Sequence, residues 1–295
     1  MNHNTHGISS IIYSDAKKHR RRVVVAIKSA DKTAIAYLKK VKRIVDVTIV
    51  GQRIPGFTSF EMTEEADMGL KMIELLEDGK VDAIVRGSVH PRYLFLPLFQ
   101  KTGEEMSYFT GKDKTTIVIF EHVKTKRFFA LTSVDLWQGF DIKQKKKEAL
   151  ENAHFLKTMN IEPYVAVMAM RRAKPKGARR PKGYTPVDIV EKSCKDAEAT
   201  SAYLRKQGIK ADLFDIEYDN ALKAGANIIV PPIGPIGNAF ARSLCFFTDE
   251  WELISAPSLH FSPLAIEDGF KAGVGKSYYN HIISAAATYN RNHRS

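Results

Sequence analysis

Three stretches of this chain gather residue types able to hold an anion. The first is Arg86-Gly87-Ser88-Val89-His90. Its glycine lets the backbone approach a ligand closely, Ser88 and His90 can donate hydrogen bonds, and Arg86 presents a guanidinium to an oxyanion. The same five residues also fit a tight turn with Ser88 as an ordinary helix cap. The second stretch, 171–182, packs seven Lys/Arg into twelve residues, among them Arg171, Arg172, Arg179 and Arg180, and runs up to Thr185 at the start of a helix. Clustered cations repel one another, so such a loop is either fully solvated or relieved by a bound phosphate at the helix start. The third, 229–238, is a Pro/Gly-stiffened loop ending in Gly237-Asn238, where Asn238 is an N-cap or part of an anion or carbonyl site. Upstream, Asp219 offers a carboxylate from a short loop.

Alternating strands and helices must position these loops. Strands are expected at 22–27, 45–50, 83–85, 164–170 and 227–230, with a hairpin from 115–121 and 126–132. Between them fall amphipathic stretches. One runs from Asp31 to about Lys42. A second is capped by Thr63, with Ala66, Leu70 and Ile73 inward, and is stopped by Gly79. A third covers 143–159, with Asn160 suited to a left-handed C-terminal cap. A fourth begins at Thr185, with Val190, Cys194, Ala197 and Leu204 on its inner stripe and Gly208 at its end; that stripe makes Cys194 a core residue and not a nucleophile. A closing helix is expected at 281–289. The alternation predicts an α/β fold with largely parallel sheets, and ligands in such folds sit where strands end and loops begin. The loops after Val85, Met170 and Val230 meet that condition.

The chain has 295 residues, 44% apolar and 26% charged, which excludes disorder, collagen-like repeats and a disulfide scaffold. The length suits one large domain or two of roughly 150 residues. No apolar run reaches the ~18 residues of a membrane span, and the first residues lack the apolar core of a secretory signal. Cys194 and Cys245 fit a reducing compartment. A cytoplasmic protein without membrane contact is the expectation. A formal charge of +12 draws polyanions: nucleic acid, acidic proteins or a phosphorylated small molecule. The basic segments at 17–22 and 143–147 read as a solvated tail and a solvated helix face. Tyr184 is the only aromatic beside the 171–182 loop, so no base-stacking platform is visible there. The histidines and cysteines show no metal-ligand spacing, and Gly273-Val274-Gly275 lacks the upstream glycine and strand of a phosphate loop.

Taken in order, several stretches resemble the phosphate acetyltransferase/phosphate butyryltransferase superfamily over nearly the whole chain. They are 81–90, Leu131-Thr132, Gln144-Lys145, Glu151-Asn152-Ala153, 160–167, Tyr218-Asp219-Asn220-Ala221 and Gly237-Asn238. Within that superfamily, 216–221, Ile229-Val230-Pro231-Pro232 and Gly237-Asn238 with Arg242 resemble the methanogenesis-marker MtxX family, which carries a methyltransferase-related label. The resemblance implies a two-lobed fold of the isocitrate/isopropylmalate dehydrogenase type with an interlobe cleft and a homodimeric state. It places 1–144 with 262–295 in the first lobe, residues 1–20 being a flexible tail, and 145–261 in the second. It also implies acyl transfer between coenzyme A and phosphate, with coenzyme A or an acyl phosphate as ligand and no metal. The family's Ser-Arg pair is absent at 257–262, and Leu96 stands where an arginine precedes Pro97. By the resemblance Asp268 takes the acidic role, with Lys271 or Arg92 supplying the missing positive charge. The alternative is a non-catalytic factor that uses its basic loop on RNA or an acidic protein.

Overall fold

The computed structural model describes residues 7–102, 115–135, 138–171, 188–269 and 275–293. Lys271, Arg172, Arg179, Arg180 and Thr185 lie outside them. In chain order the elements are α1 (Ile8–Lys18), β1 (Arg22–Ile27), α2 (Lys32–Val41), β2 (Asp46–Gly51), β3 (Thr58–Glu61), α3 (Glu65–Glu77), β4 (Ala83–Val85) and α4 (Pro91–Thr102). There follow β5 (Ile117–His122), β6 (Phe128–Thr132), α5 (Ile142–Lys157), β7 (Tyr164–Met168), α6 (Asp188–Lys206) and β8 (Lys210–Phe214). The chain closes with α7 (Tyr218–Lys223), β9 (Ile228–Val230), α8 (Gly234–Phe247), β10 (Trp251–Ser255), β11 (Ala265–Glu267) and α9 (Ser277–Asn292).

These elements form two compact units, one of Met1–Phe109, Ile117–Phe128 and Leu244–Ser295, the other of Thr110–Thr116 and Phe129–Ser243. β10 lies antiparallel to β5, Trp251 opposite His122, which holds both in the first unit. Residues Ala130 and Leu131 of β6 pair in parallel with β9, which holds them in the second.

In the first unit five parallel strands take the order β11-β4-β1-β2-β3. The central strand β1 is buried from Val23 to Ile27, the near-continuous apolar run of a parallel strand covered on both faces. Val24, Ala26 and Ile84 pack with Met68, Met72 and Ile73 of α3 and Leu94, Phe95 and Phe99 of α4. Helix α9 lies across β1, β4 and β11 and is flanked by α1 and α2. The segment expected to be a flexible tail is, over Ile8–Lys18, the helix α1. Ile8, Ile12 and Ala16 at helical spacing are buried on α9, and Asp15 meets Arg291 at 3.2 Å.

In the second unit four parallel strands take the order β6-β9-β7-β8. Helix α5 starts at Asp141, whose carboxylate accepts the Lys143 and Gln144 amides at 2.7 and 2.9 Å, and Asn160 beyond its end has φ +58°. Five local expectations are corrected. Thr63 does not cap α3, whose N-cap is Glu64, and Leu70 is 52% exposed because Met68, Met72 and Leu75 carry the inward face instead. Cys194 is half-buried, since Ser193, Asp196, Ala197 and Thr200 hold the inner stripe of α6. Asp219 lies in α7, not in a loop. Helix α8 begins at Gly234, so Asn238 sits inside it and not at its cap. No described helix is long and apolar enough to cross a membrane.

Candidate functional site

The C-terminal ends of the first unit's parallel strands converge on the loop after β4. There Gly87 has φ +60°, and a Cβ on it would collide with the Ala26 carbonyl at the end of β1. Only glycine permits this approach. Gly269, also left-handed at φ +63°, sits so close that a Cβ on it would come within 2.7 Å of the Gly87 nitrogen. The chain crossing after β4 and the one after β11 are therefore pressed together, and their charged residues meet. The Arg86 guanidinium donates from Nε to Asp268, 182 residues away, and from Nη1 to the Val89 carbonyl. The Arg86 and Asp268 side chains are 12% and 28% exposed, enough burial to strengthen the pair while leaving access to one side.

Ser88 ties this loop to β1. Its Oγ accepts the Lys28 amide at 2.8 Å and donates to the Ala26 carbonyl at 3.3 Å. The buried Tyr278 phenol borders Ser88; burial pushes it up to about 12 against a smaller opposing pull from that hydroxyl. Lys28 Nζ in turn pairs with Glu65 at 2.6 Å, and the other Glu65 oxygen accepts the His90 amide at 2.6 Å. Those two bonds, Lys28 first, hold the Glu65 carboxyl below its ordinary value. His90 itself is exposed, and its Nδ1 accepts the Arg92 amide at 3.4 Å. Arg92 is exposed as well and stacks over Tyr93, 4.5 Å from the ring centroid. A cavity of about 700 Å³ opens at the ends of β1 to β3, lined by Lys28, Gly51, Gln52, Arg53, Glu61 and Met62. The sequence reading missed Lys28, Arg53 and Glu65. Their signal was position, since Lys28 directly follows the first buried strand and Arg53 follows the Gly51 that ends the second.

The second unit builds a different cluster. Lys145 and Glu148 point inward from α5 and are both fully buried, so the solvated face expected at 143–147 does not hold at Lys145. Spaced with Ala149, Asn152, Ala153 and Leu156, they occupy the helix stripe that packs inward. The Lys145 ammonium donates to the Pro232 carbonyl at 2.7 Å, with Asp196 of α6 at 3.9 Å. Glu148 accepts from Ser133, a residue held at φ +50° just after β6. Its other oxygen and the Asn152 carbonyl oxygen lack partners among the described residues. Burial brings both groups toward neutrality, Lys145 down to about 8 and Glu148 up to about 8. Nearby, Asn238 donates to the Val134 carbonyl at 2.8 Å, and Arg242 donates to the Asn238 oxygen at 3.2 Å. Gly237 lets α8 approach β6; its Cβ would stand 2.6 Å from the Ser133 carbonyl.

The structure thus brings Arg86, Gly87, Ser88 and Asp268 into one cluster in the first unit. In the second, Gly237 and Asn238 lie beside the Ser133–Glu148 cluster. Arg171 is engaged by Asp215 at 2.7 Å, and Asp219 by Lys223 at 2.7 Å on the surface of α7.

No protein-family model and no curated protein sequence matches the chain. Solved structures do. A phosphotransacetylase from Streptococcus pyogenes superposes with TM-score 0.63 at 15% identity, covering 96% of this chain and 99% of that one. A branched-chain phosphotransacylase from Enterococcus faecalis V583 gives 0.61 at 12% identity over 92% and 99%. The EutD phosphotransacetylase from Staphylococcus aureus gives 0.61 at 13% over 95% and 98%. The chain has the phosphotransacetylase-like α/β fold.

Proposed function

We propose that the C-terminal edge of the five-stranded sheet binds a phosphate-bearing small molecule, of the acyl phosphate or coenzyme A kind, and that the protein is a transferase of the phosphotransacylase type. One observation carries this reading: Arg86 and Asp268 meet at strand ends, with Ser88 and Lys28 alongside and a cavity at the neighbouring strand ends. Helix and strand termini of a parallel sheet favour anions there, and Lys28 and Arg53 in the wall, paired with Glu65 and Glu61 at 2.6 and 3.6 Å, would exchange those carboxylates for the ligand. In acyl transfer, Asp268 takes the proton of the attacking thiol, and the thiol sulfur bonds to the acyl carbon. The carbon–oxygen bond to phosphate then breaks, and Arg86 offsets the charge on the departing phosphate. The likeness of 216–221 and 229–238 to the MtxX family extends the proposal to a methyltransferase-related role in methanogenesis. A homodimer is part of the same reading.

Calorimetric titration with inorganic phosphate, acetyl phosphate, coenzyme A and S-adenosylmethionine tests it. Saturable binding that raises thermal stability by about 2.7 kcal/mol at a hundredfold excess over Kd, and that Arg86→Gln abolishes, supports the site. Acetyl transfer lost in Asp268→Asn supports the chemistry. Silence from every small molecule overturns both. A second reading, a non-catalytic factor acting on RNA or an acidic protein, is favoured by one fact: Arg86 is already engaged by Asp268 and the Val89 carbonyl. Binding that falls steeply with salt and needs no cavity residue distinguishes it.

A further inference from the structure

A second cavity in the first unit, of about 420 Å³, lies among α1, α2, α9 and β10. Its walls are unlike those of the site above. Tyr13, Tyr37 and Tyr279 contribute three aromatic rings, Ile12, Ile254 and Ile283 an apolar floor, and Lys40 and Lys276 two ammonium groups. Tyr37 and Tyr279 stand 6.0 Å apart at 59°, an open wedge and not a closed stack. All three tyrosines are half-buried, so their rings are held in place yet reachable.

The rings already carry this chain's own cations. Lys40 Nζ lies 4.7 Å from the Tyr37 centroid and Lys17 Nζ 4.5 Å from that of Tyr13. A quaternary ammonium ligand would have to displace like charge, which argues against an aromatic cage for cations. Lys40 has no carboxylate partner among the described residues, whereas Lys276 is paired with Glu252 at 2.9 Å. The free positive charge is therefore on the Lys40 side. Helices α1 and α9 also run parallel: Asp15 meets Arg291 near their C-terminal ends, while Ser9 and Ser10 of α1 and Tyr279 and Asn280 of α9 line the cavity near their N-terminal ends. The α1 end is already met by the buried Glu121 carboxylate, which accepts the Ser9 amide and hydroxyl at 2.9 Å, so the positive helix end that borders the space is that of α9.

Flat rings, hydroxyls, one unpaired ammonium and a volume within the range of small-molecule sites describe a ligand that is planar at one end and anionic at the other. We infer that this cavity binds a nucleoside phosphate, its base against Tyr37 and Tyr279 and its phosphate at Lys40. The site is separate from Arg86 and Asp268, and neither residue lines it.

The test is calorimetry on the full chain with AMP, ADP, adenosine, inorganic phosphate and phenyl phosphate. The expected result is micromolar to submillimolar binding of AMP or ADP, at least tenfold tighter than adenosine, phosphate or phenyl phosphate. Lys40→Glu and Tyr279→Ala should each weaken it tenfold or more. Tyr279→Phe, which keeps the ring, should retain it and serves as the control for folding. Arg86→Gln should leave nucleotide binding unchanged while abolishing binding at the other site, so the two readings fail separately. Absence of nucleotide binding overturns the inference. So does equal binding of phosphate or phenyl phosphate, or binding that depends on Arg86 and not on Lys40.

Discussion

The two units handle buried charge in opposite ways. At the strand ends of the first unit, Arg86 and Asp268 are each matched by the other and keep partial contact with water. In α5 of the second unit, Lys145 and Glu148 are sealed from solvent, and burial drives both toward their neutral forms. A paired charge at a loop is ready to meet an anion. A charge sealed inside is instead pushed toward its neutral form, Lys145 downward and Glu148 upward. Where a charge is placed decides which of the two it becomes.

The largest effect is expected from the backbone of the first region. Gly87→Ala forces a Cβ against the Ala26 carbonyl at a positive φ, and chemical denaturation should show a loss of about 3 kcal/mol or more. A loss below about 1 kcal/mol would show that the loop relaxes and that its tightness does not set the Arg86–Asp268 pairing. Next comes Asp268→Ala, which strands a partly buried guanidinium. About 2 kcal/mol should be lost, with part recovered in the Arg86→Met/Asp268→Ala double variant. Full additivity would mean that the pair contributes nothing beyond its parts.

The third prediction separates the regions by pH. The Glu148 pKa is raised on folding, so its contribution is full below the ordinary carboxylate range and is lost as pH rises to about 8. The Lys145 pKa is depressed, so its contribution is present above the ordinary lysine range and is lost as pH falls to about 8. Their combined contribution is smallest near pH 8. Glu148→Gln should flatten the acid side of the dip and Lys145→Met the alkaline side, each by on the order of 1 kcal/mol per pH unit. Parallel pH profiles for variant and wild type would remove the contrast between the units. The smallest effect belongs to Asp219→Asn, which breaks an exposed pair with Lys223. No change in melting temperature is expected, and a clear drop would show that α7 depends on this pair.

Much of this was legible in the chain itself. Buried parallel strands announce themselves by β-branched runs such as Val23-Val24-Val25, and the glycine after Val85 marked the loop that meets Asp268. Boundaries read less well. Thr63 has the chemistry of a cap, yet α3 starts after Glu64. The Lys145–Glu148 cluster stayed hidden for a physical reason. A lysine run in a helix reads as a wet face, and only tertiary packing shows that Lys145 shares the inward stripe with Ala149 and Ala153. The Arg86–Asp268 pairing was equally out of reach, because both residues were visible and nothing local brings together positions 182 apart.

That the edge strand β11 and helix α9 come from the far end of the chain has a consequence in time. During synthesis β4 is exposed long before its neighbour β11 is made. At ~5–20 residues per second, the gap between them takes on the order of ten seconds to translate. For that interval one side of β4 has no strand to pair with, and the surfaces that α9 covers on β1 and β4 stay open. Chaperone capture in the cell should concentrate in this window and end when the last helix docks.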